Sequence, residues 1–406
     1  MRQQQAPDDG FRVARWVDAL GGFIDRHQGL WTRIGNLETR LLADELSEVA
    51  VDQPIYVSGL ARSGSTILLE LLSRHEAIVT HRYRDYPPVF TPYLWNRLLE
   101  RTPQRAAEPV ERTHRDGIKI TPESPEALEE VLWMAFFPQL HDPAQSAVLD
   151  RRTSNPAFES FYRDHIRKLL RVRGGRRYLA KGNYNVTRLE YLLEIFPDAR
   201  FVIPVREPRW HIASLMKQHA LFCAGGRENP EAVRHLQRVG HFEFGLDRRP
   251  VNAGDAAVIE RVLACWQRGD EVEGWARYWR HIYGYVADRL DANPQLREAA
   301  LLVRFEDLCR APELTIRALF EHCRLAVSEP ALGQLAGILH SPAYYRPRFS
   351  EAELATLDQH TRAVALRLGC RAPLEAGPVS APALRTAPGS GACSPARSGS
   401  PPRRSA

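Results

Sequence analysis

The chain has 406 residues, of which 44% are hydrophobic, and it carries a formal net charge of +6. This length and apolar content suit one large or two ordinary globular domains and exclude a disordered or fibrous protein. The charge is modest and no basic arm interleaved with aromatic residues occurs, so nucleic acid is not an expected partner.

The cysteines and the N-terminus bear on the compartment. The six cysteines are scattered without a C-x-x-C pair, which predicts neither a zinc site nor a disulfide framework and favours a reducing compartment. The first residues include an acidic pair and no apolar leader, and no run of about 18 apolar residues that could cross a bilayer occurs. We therefore expect a cytoplasmic protein without a transmembrane segment.

Residues 1–50 are predicted to be helical, because apolar residues such as Leu20 and Ile24 recur at three- and four-residue intervals. These helices are expected to pack on the main domain. The apolar run at 54–60 then predicts a strand buried on both faces, and helical composition resumes at Ser65. The local order is strand, glycine loop, helix.

Further strands are predicted at 176–182, 199–207 and 300–308, and Pro208 and Pro312 mark the helix starts that follow the last two. Strands that alternate with helices predict a parallel sheet covered on both faces. The predicted fold is a P-loop-type three-layer α/β/α domain with a central parallel sheet and helical insertions.

The domain organisation follows from composition. The main domain is predicted at 51–370, with helical insertions at about 124–172 and 221–290 that are rich in aromatic residues and expected to face the substrate. From residue 371 onward Ala, Pro, Ser, Gly and Arg dominate. Such a composition cannot bury enough apolar surface to fold, so 371–406 is predicted to be a disordered tail.

Two features of the insertions are assigned to structure rather than to the site. Ser124 is predicted to cap a helix on which Glu129 and Glu130 face solvent. The helix-spaced tryptophans and tyrosine of the second insertion are assigned to core packing in preference to an acceptor pocket.

The glycine loop reads GLARSGST. Gly59, Gly64 and Thr66 match the glycine and Ser/Thr positions of a phosphate-binding P-loop, but Ser65 stands at the lysine position. The N–H groups of such a loop, with the N-terminus of the next helix, attract an anion without a lysine. No plain strand ending in a metal-binding aspartate follows, so the predicted anion needs no metal. The alternative is a Gly/Ser turn that caps an ordinary helix.

A second segment, VREPRWHIASL, places Arg206 at a strand end and Ser214 eight residues later in the following helix. An arginine at the carboxyl end of a strand, beside a hydroxyl, is suited to binding phosphate. Taken alone, a surface ion pair with Glu207 and an ordinary helix serine is the preferred interpretation.

Together, the two segments resemble one family, the sulfotransferases that use 3′-phosphoadenosine 5′-phosphosulfate (PAPS). The first motif of that family is similar to G-x-P-R-S-G-T-T, with Ala61 standing here for the proline. Its second motif, an arginine and a serine eight residues apart, is matched by Arg206 and Ser214. RFEDL at 304–308 is similar to a later element, so that the resemblance spans about 54–370.

The resemblance, which is nearest to bacterial and tyrosylprotein sulfotransferases, implies the donor site. The residues implied to hold the 5′-phosphosulfate are Arg62, Ser63, Gly64, Ser65 and Thr66. Arg206 and Ser214 are implied to hold the 3′-phosphate. PAPS would serve as co-substrate without a metal ion.

Sulfuryl transfer develops negative charge on the bridging oxygen of the leaving phosphate, so cations and aimed N–H groups are expected to supply most of the catalysis. Arg62 is the first such cation. Lys181, which is one of four lysines in the chain, matches a lysine of the related segment in tyrosylprotein sulfotransferases and is the second. A solvated strand-end lysine is the alternative for Lys181.

The general base is harder to assign. In tyrosylprotein sulfotransferases a glutamate follows the first helix, but Arg82 and its neighbour Tyr83 occupy that stretch here. Asp85, the carboxylate of the stretch, is the candidate base. His81, His114 and Asp116 are the weaker candidates.

The sequence thus predicts a transferase that moves a sulfuryl group from PAPS to a hydroxyl acceptor. A small molecule, a carbohydrate, a lipid or a peptide all remain open as acceptor, and so does a homodimer. Two alternatives stand beside it: a P-loop kinase or NTPase-like enzyme, which needs a displaced lysine and a metal carboxylate, and a nucleotide-binding protein without activity.

Overall fold

The structure is a computed structural model that describes residues 9–101, 108–115, 117–339 and 347–370. The predicted tail at 371–406 lies outside the described residues, as does Asp116.

Seven strands are described: β1 (Ile55–Val57), β2 (Ile78–Val79), β3 (Val110–Glu111), β4 (Lys119–Ile120), β5 (Arg177–Lys181), β6 (Arg200–Val205) and β7 (Ala300–Arg304). Five of them form a parallel sheet in the order β2-β5-β1-β6-β7. Strands β3 and β4 form a separate antiparallel pair.

The α-helices of the described ranges are α1 (Arg15–Arg26), α2 (Gln28–Leu41), α3 (Ala43–Ser47), α4 (Ser65–Ser73), α5 (Pro92–Glu100), α6 (Glu130–Phe136), α7 (Pro156–Arg173), α8 (Leu189–Ile195), α9 (Pro208–Glu228), α10 (Pro230–Val239), α11 (Ala256–Arg268), α12 (Glu271–Ala292), α13 (Pro294–Ala299), α14 (Phe305–Arg310), α15 (Pro312–His322), α16 (Glu329–Ala336) and α17 (Glu351–Arg367). Short 3-10 helices lie at Asp9–Phe11, Tyr83–Asp85 and Asn183–Thr187.

The sheet is covered on both faces. Successive side chains of a strand point to opposite sides, and in β1 Ile55 and Val57 belong to an apolar cluster that α4, α15 and α16 share. Tyr56 belongs to a second, larger cluster with α7, α9 and α12. The predicted three-layer α/β/α fold with a central parallel sheet is confirmed.

Strand register brings the carboxyl ends of the central strands together. Val57 at the end of β1 is level with Lys181 of β5 and Val202 of β6. Because parallel strands end on one edge, the loop after β1, Lys181 and the residues after β6 meet there.

The predicted strands begin and end within four residues of the observed ones. Pro208 and Pro312 begin α9 and α15. The segment RFEDL spans the end of β7 and the start of α14, so only Arg304 of it is strand. Strand β2 has two residues and was not predicted, because two residues give no readable alternation.

The prediction for Glu129 and Glu130 is wrong. Helix α6 begins at Glu130 rather than after Ser124, since Pro125 forms an antiparallel bridge with Arg82. Both glutamates are buried: Glu129 accepts a 2.6 Å hydrogen bond from the Tyr178 hydroxyl.

Glu130 forms a two-bond ion pair with Arg188, at 2.8 Å for each bond, and accepts from His141 at 2.7 Å. Burial acts to raise the pKa of Glu130, but the charge of Arg188 and the contacts with Arg188 and His141 outweigh it and lower the pKa to about 2. The pair fixes α6 against the residues that precede α8.

The N-terminal helices are tied to the main body by a buried ion pair. Lys168 Nζ of α7 lies 2.9 Å from Glu38 Oε2 of α2 and donates to the carbonyl oxygen of Gly35 at 3.0 Å. Leu94 N of α5 donates to the other Glu38 oxygen at 2.7 Å. In the second insertion, Trp275 and Trp279 are fully buried, as core packing requires.

Candidate active site

The glycine loop leads from β1 into α4. Gly64 has φ +105°, a left-handed conformation that side chains disfavour, and a Cβ there would lie 2.7 Å from the Phe305 ring. Glycine is therefore required on both grounds. Helix α4 begins at Ser65, and its first N–H groups have no intrahelical acceptor, which makes this end attractive to an anion.

The second motif lies against the loop. Arg62 donates from Nε to the Ser214 hydroxyl at 3.3 Å, and Arg206 donates from Nη1 to the carbonyl oxygen of Arg62 at 3.3 Å. Arg206 is buried and its guanidinium carbon lies 4.9 Å from the centre of the Phe305 ring. The three segments of the family resemblance thus meet at one place.

Arg206 keeps one donor unused. Its Nε is buried and has no hydrogen-bond partner among the described residues. A buried guanidinium with an unsatisfied N–H is suited to a bound anion, because an unpaired buried donor costs free energy that a phosphate oxygen would remove.

Ser63 and His211 hold the loop in shape. The Ser63 hydroxyl is buried and donates to the Leu60 carbonyl oxygen at 2.7 Å. His211 Nε2 lies 2.8 Å from the Ala61 carbonyl oxygen, and its Nδ1 accepts from Trp279 Nε1 at 3.1 Å. Burial lowers the pKa of His211 to about 3, so the ring is a neutral donor at Nε2.

A cavity of about 880 Å³ lies in front of the loop. Arg62, Ser65, Thr66 and Lys181 line one part of it. The remaining wall is largely apolar and includes Phe11, Val17, Leu128, Phe222, Leu236 and Phe244. The cavity wall therefore combines charged and polar groups with apolar ones, and α1 contributes Val17 to the apolar part.

Lys181 is at the carboxyl end of β5, on the cavity wall. Burial lowers its pKa, and the positive charges of Arg112 and Arg62 act in the same direction, while Glu126 and Glu243 oppose them. Lys181 is therefore a partly buried member of a mixed charge cluster rather than a solvated lysine.

Arg112 was not predicted as a site residue. It follows β3, is buried, and donates from Nη1 to the Thr66 hydroxyl of the loop at 3.3 Å. No sequence pattern marks it, because the hairpin that carries it has strands of two residues each.

His241 and Glu243 were also missed. Helix α10 ends at Val239, and His241 N donates to the Leu236 carbonyl oxygen at 2.8 Å, which turns the chain back toward the cavity. His241 Nδ1 lies 3.4 Å from Glu243 Oε2. Both residues line the cavity. The signal in the sequence, His-x-Glu after a helix-ending glycine, is too common to be read alone.

His241 and Glu243 shift each other's pKa values. Burial alone would lower the pKa of His241, but the carboxylates of Glu243 and Glu126 outweigh it and raise the pKa above its usual value. Burial acts to raise the pKa of Glu243, yet hydrogen bonds from His241 and from Asn183, the latter at 2.6 Å, lower it to about 2. Glu243 is thus an ionised orienting partner for His241.

Asp85, the predicted base, occupies a different environment. Its carboxylate is buried, accepts from Arg173 at 2.6 and 2.7 Å, from Arg82 N at 2.8 Å and from Asn96 at 3.2 Å, and lies 3.3 Å from His81 Nδ1. Burial acts to raise the pKa of Asp85, but His81 and Arg173 outweigh it and hold the pKa well below its usual range.

Asp85 is not among the residues that line the cavity. Its contacts fix the turn after β2 to the end of α7, so the geometry favours a structural role over the predicted catalytic one. Of the weaker candidates, His81 is buried and stacks on His165, whereas His114 lines the cavity and packs on Phe222.

Comparisons with known proteins identify similar proteins. The model of the sulfotransferase family matches residues 54–248. The chain is 25% identical over 369 residues to omega-hydroxy-beta-dihydromenaquinone-9 sulfotransferase Stf3 of Mycobacterium bovis, covering 84% of this chain and 80% of the relative. The same figures hold for Stf3 of Mycobacterium tuberculosis.

Among solved structures, sulfotransferase STF9 from Mycobacterium avium is similar with a TM-score of 0.45 and 16% identity, over 82% of this chain and 79% of that one.

The family match and the curated relatives indicate a transferase that acts on sulfuryl groups. Residues 54–248 match the sulfotransferase family, and the curated relatives are sulfotransferases. The family match does not favour the kinase or NTPase alternative.

Within the described ranges, no three or more His, Cys, Asp or Glu side chains are grouped so as to hold a metal ion. Among the helices described above, none is both long and apolar enough to span a membrane.

Proposed function

We propose that the protein transfers a sulfuryl group from PAPS to the hydroxyl of a small, largely apolar acceptor. The observation that carries the proposal is one cavity whose wall combines residues of the glycine loop, Arg62 and Lys181 with a set of apolar side chains. Such a cavity suits an anionic donor that meets an uncharged acceptor.

The donor is assigned to the loop and the second motif. The N–H groups at the start of α4 are proposed to bind the 5′-phosphosulfate, with Arg112 beside Thr66 as an added cation. Arg206 and Ser214 are proposed to bind the 3′-phosphate, for which the unused Nε of Arg206 is the donor in place.

Arg62 and Lys181 are proposed to stabilise the leaving group. As the bond between sulfur and the bridging oxygen breaks, negative charge grows on that oxygen, and two cations in a partly dry cavity lower the energy of this state. The leaving group is adenosine 3′,5′-bisphosphate. Arg62 is held in place by Ser214, so the groups that bind the two ends of the donor are coupled.

His241 is proposed as the general base in place of Asp85. With Nδ1–H directed to Glu243, Nε2 is the acceptor for the proton that the hydroxyl loses as its oxygen bonds to sulfur. Glu243 fixes the ring and stabilises the protonated imidazole. Glu126, a second carboxylate on the cavity wall, raises the basicity of His241 further.

The acceptor is proposed to be a hydroxylated apolar molecule. The apolar part of the cavity wall offers aromatic and aliphatic side chains such as Phe222 and Leu236, whereas a carbohydrate would need many polar partners. The Mycobacterium relatives are named for a hydroxylated dihydromenaquinone, which fits this class.

Titration calorimetry with nucleotides tests the donor assignment. We expect adenosine 3′,5′-bisphosphate to bind at least tenfold more tightly than AMP, because only the former offers a 3′-phosphate to Arg206. EDTA should leave this affinity unchanged. Preferential binding of ATP with Mg²⁺ would support the NTPase alternative and contradict the proposal.

A further inference from the structure

An exposed apolar row runs along the two N-terminal helices. Its large side chains, with their exposed fractions, are Trp16 (56%), Phe23 (42%), Leu30 (48%), Leu37 (52%) and Leu41 (71%). Trp16 and Phe23 are seven residues apart on α1, and Leu30 and Leu37 are seven residues apart on α2, so each pair lies on one side of its own helix. We call these five residues the apolar row. A continuous exposed row of this kind marks an interaction surface rather than scattered surface leucines.

A row of arginines accompanies the apolar row. Arg26, Arg33 and Arg40 are exposed and each follows a member of the apolar row by three residues, which places it about 60° away around the helix. We call these three residues the arginine row. It gives the surface a positive border.

The acidic residues of α1 and α2 do not neutralise the positive charge of the arginine row. Of the three acidic residues between 15 and 41, Asp18 is paired with Arg238 at 2.6 Å and Glu38 is buried with Lys168. Asp25 is the exposed one. The surface is therefore apolar and cationic, the combination that binds at the headgroup boundary of an anionic bilayer.

The apolar row leads to the cavity. Trp16 is half exposed and also lines the cavity, as does its neighbour Val17. On α5, Trp95 lines the cavity, while Leu94 and Leu98 on the same helix are exposed at 48% and 56%. The surface and the cavity are thus continuous.

We propose that the apolar row and the arginine row dock the protein on the surface of an anionic lipid bilayer. The helices would lie in the plane of the headgroups, with the leucines and aromatic rings in the acyl boundary and the guanidinium groups on lipid phosphates. This inference goes beyond the proposed function, since docking needs neither donor nor turnover. Docking would place the mouth of the cavity at the bilayer surface, where an apolar acceptor is concentrated.

A second copy of the chain fits this surface less well. The spacing suits a coiled coil, but α1 ends at Arg26 and α2 begins at Gln28, with His27 outside helical geometry (φ −125°, ψ 36°). A twofold contact would also bring the arginine rows of both copies toward the same seam. An anionic surface neutralises that charge instead.

Vesicle flotation with the full chain tests the proposal, using vesicles of phosphatidylcholine alone or with phosphatidylglycerol. We expect binding to the anionic vesicles. The variant Leu30→Ser/Leu37→Ser should lower the partition coefficient at least tenfold, whereas Leu314→Ser/Leu366→Ser, which changes equally exposed leucines elsewhere, should not. None of these four leucines lines the cavity.

Variants that replace the arginines with glutamine give a second test of vesicle binding. Each basic residue near an anionic membrane strengthens binding about fivefold, so Arg26→Gln/Arg33→Gln/Arg40→Gln should lower binding to anionic vesicles by roughly a hundredfold. The charge-matched control is the triple glutamine variant of the exposed residues Arg151, Arg152 and Arg362, which should bind like the parent protein.

Several outcomes would overturn the proposal. They are no flotation of the parent protein, equal losses in the control variants, and a lipid-free dimer in sedimentation velocity that Leu30→Ser/Leu37→Ser dissolves. Because the assay contains no PAPS, an inactive enzyme would still float, so failure of the proposed function and failure of docking are distinguishable. Circular dichroism melts confirm that each variant is folded.

Discussion

The guanidinium of Arg206 donates to the backbone carbonyl of Arg62, with 3.3 Å between Nη1 and O. This bond links the strand-end arginine of the second motif to the glycine loop, 144 residues earlier in the chain. A side chain proposed to bind the 3′-phosphate therefore also positions the cation proposed to act on the sulfuryl group.

Arg206→Met should lower the affinity for adenosine 3′,5′-bisphosphate by about 1.5 to 3 kcal/mol, the contribution of a charged hydrogen bond, with little change for AMP. Calorimetry with both nucleotides measures this difference. Arg209→Met, one turn along on α9, is the control. If the two nucleotides lose equal affinity, Arg206 does not read the 3′-phosphate.

Gly64→Ala should abolish measurable bisphosphate binding and lower the free energy of unfolding by about 1 to 3 kcal/mol, because the residue has φ +105° and its Cβ would meet Phe305 at 2.7 Å. Gly254→Ala is the control, since Gly254 has φ +97° but open space around it. That variant should lose stability without losing nucleotide binding. A Gly64→Ala protein with normal affinity would remove the loop from the donor site.

His241→Gln should lower kcat by about a hundredfold to ten-thousandfold, as expected for loss of a general base. The same loss should be smaller for a phenol, which ionises near pH 10 without help. His114→Gln, which changes another cavity histidine, is the control and should remain active. Parental turnover in His241→Gln across all pH values would exclude His241 as the base.

Glu243→Gln tests the pair through the pH profile. A base acts when deprotonated, so kcat/KM should rise with pH through the pKa of His241, which Glu243 and Glu126 raise above its usual value. Removing the Glu243 carboxylate should lower that pKa, and the rise in kcat/KM should then occur at lower pH. If kcat falls while kcat/KM still rises at the same pH as in the parent protein, Glu243 does not act through His241.

Asp85→Asn should reduce stability by about 3 to 5 kcal/mol, because it leaves Arg173 as a buried charge without a carboxylate. The pKa of Asp85 is depressed in the folded state, so its contribution is present above the unfolded value of about 3.9 and is lost as pH falls further. Urea unfolding at pH 7 and at lower pH measures this. A fully folded, inactive variant would restore Asp85 to the mechanism.

The place where the predicted site residues lie follows from the sheet, because parallel strands end at a common edge. The roles predicted for Lys181, Arg206 and Ser214 rested on the resemblance to sulfotransferases, since the local strand-loop-helix patterns alone left other interpretations open. The fold class was predictable because strands that alternate with helices leave few topologies.

His241, the proposed base, was not predicted because it lies on an insertion. Where His241 lies depends on how α10 packs, which no pattern near residue 241 encodes. Arg112 was missed for a similar reason. Glu129 and Glu130 were wrongly placed in solvent because the partners that bury them, such as Arg188, lie about 60 residues away in the sequence.

The most direct test measures transfer of labelled sulfate from PAPS, in the presence of EDTA, to hydroxylated acceptors of increasing apolar size. The parent protein should sulfate the apolar alcohols in preference to free sugars. Arg62→Met and Lys181→Met should each lower turnover by about a hundredfold or more with only a modest change in bisphosphate affinity. Tight bisphosphate binding without transfer to any acceptor, or parental turnover in Arg62→Met, would contradict the account.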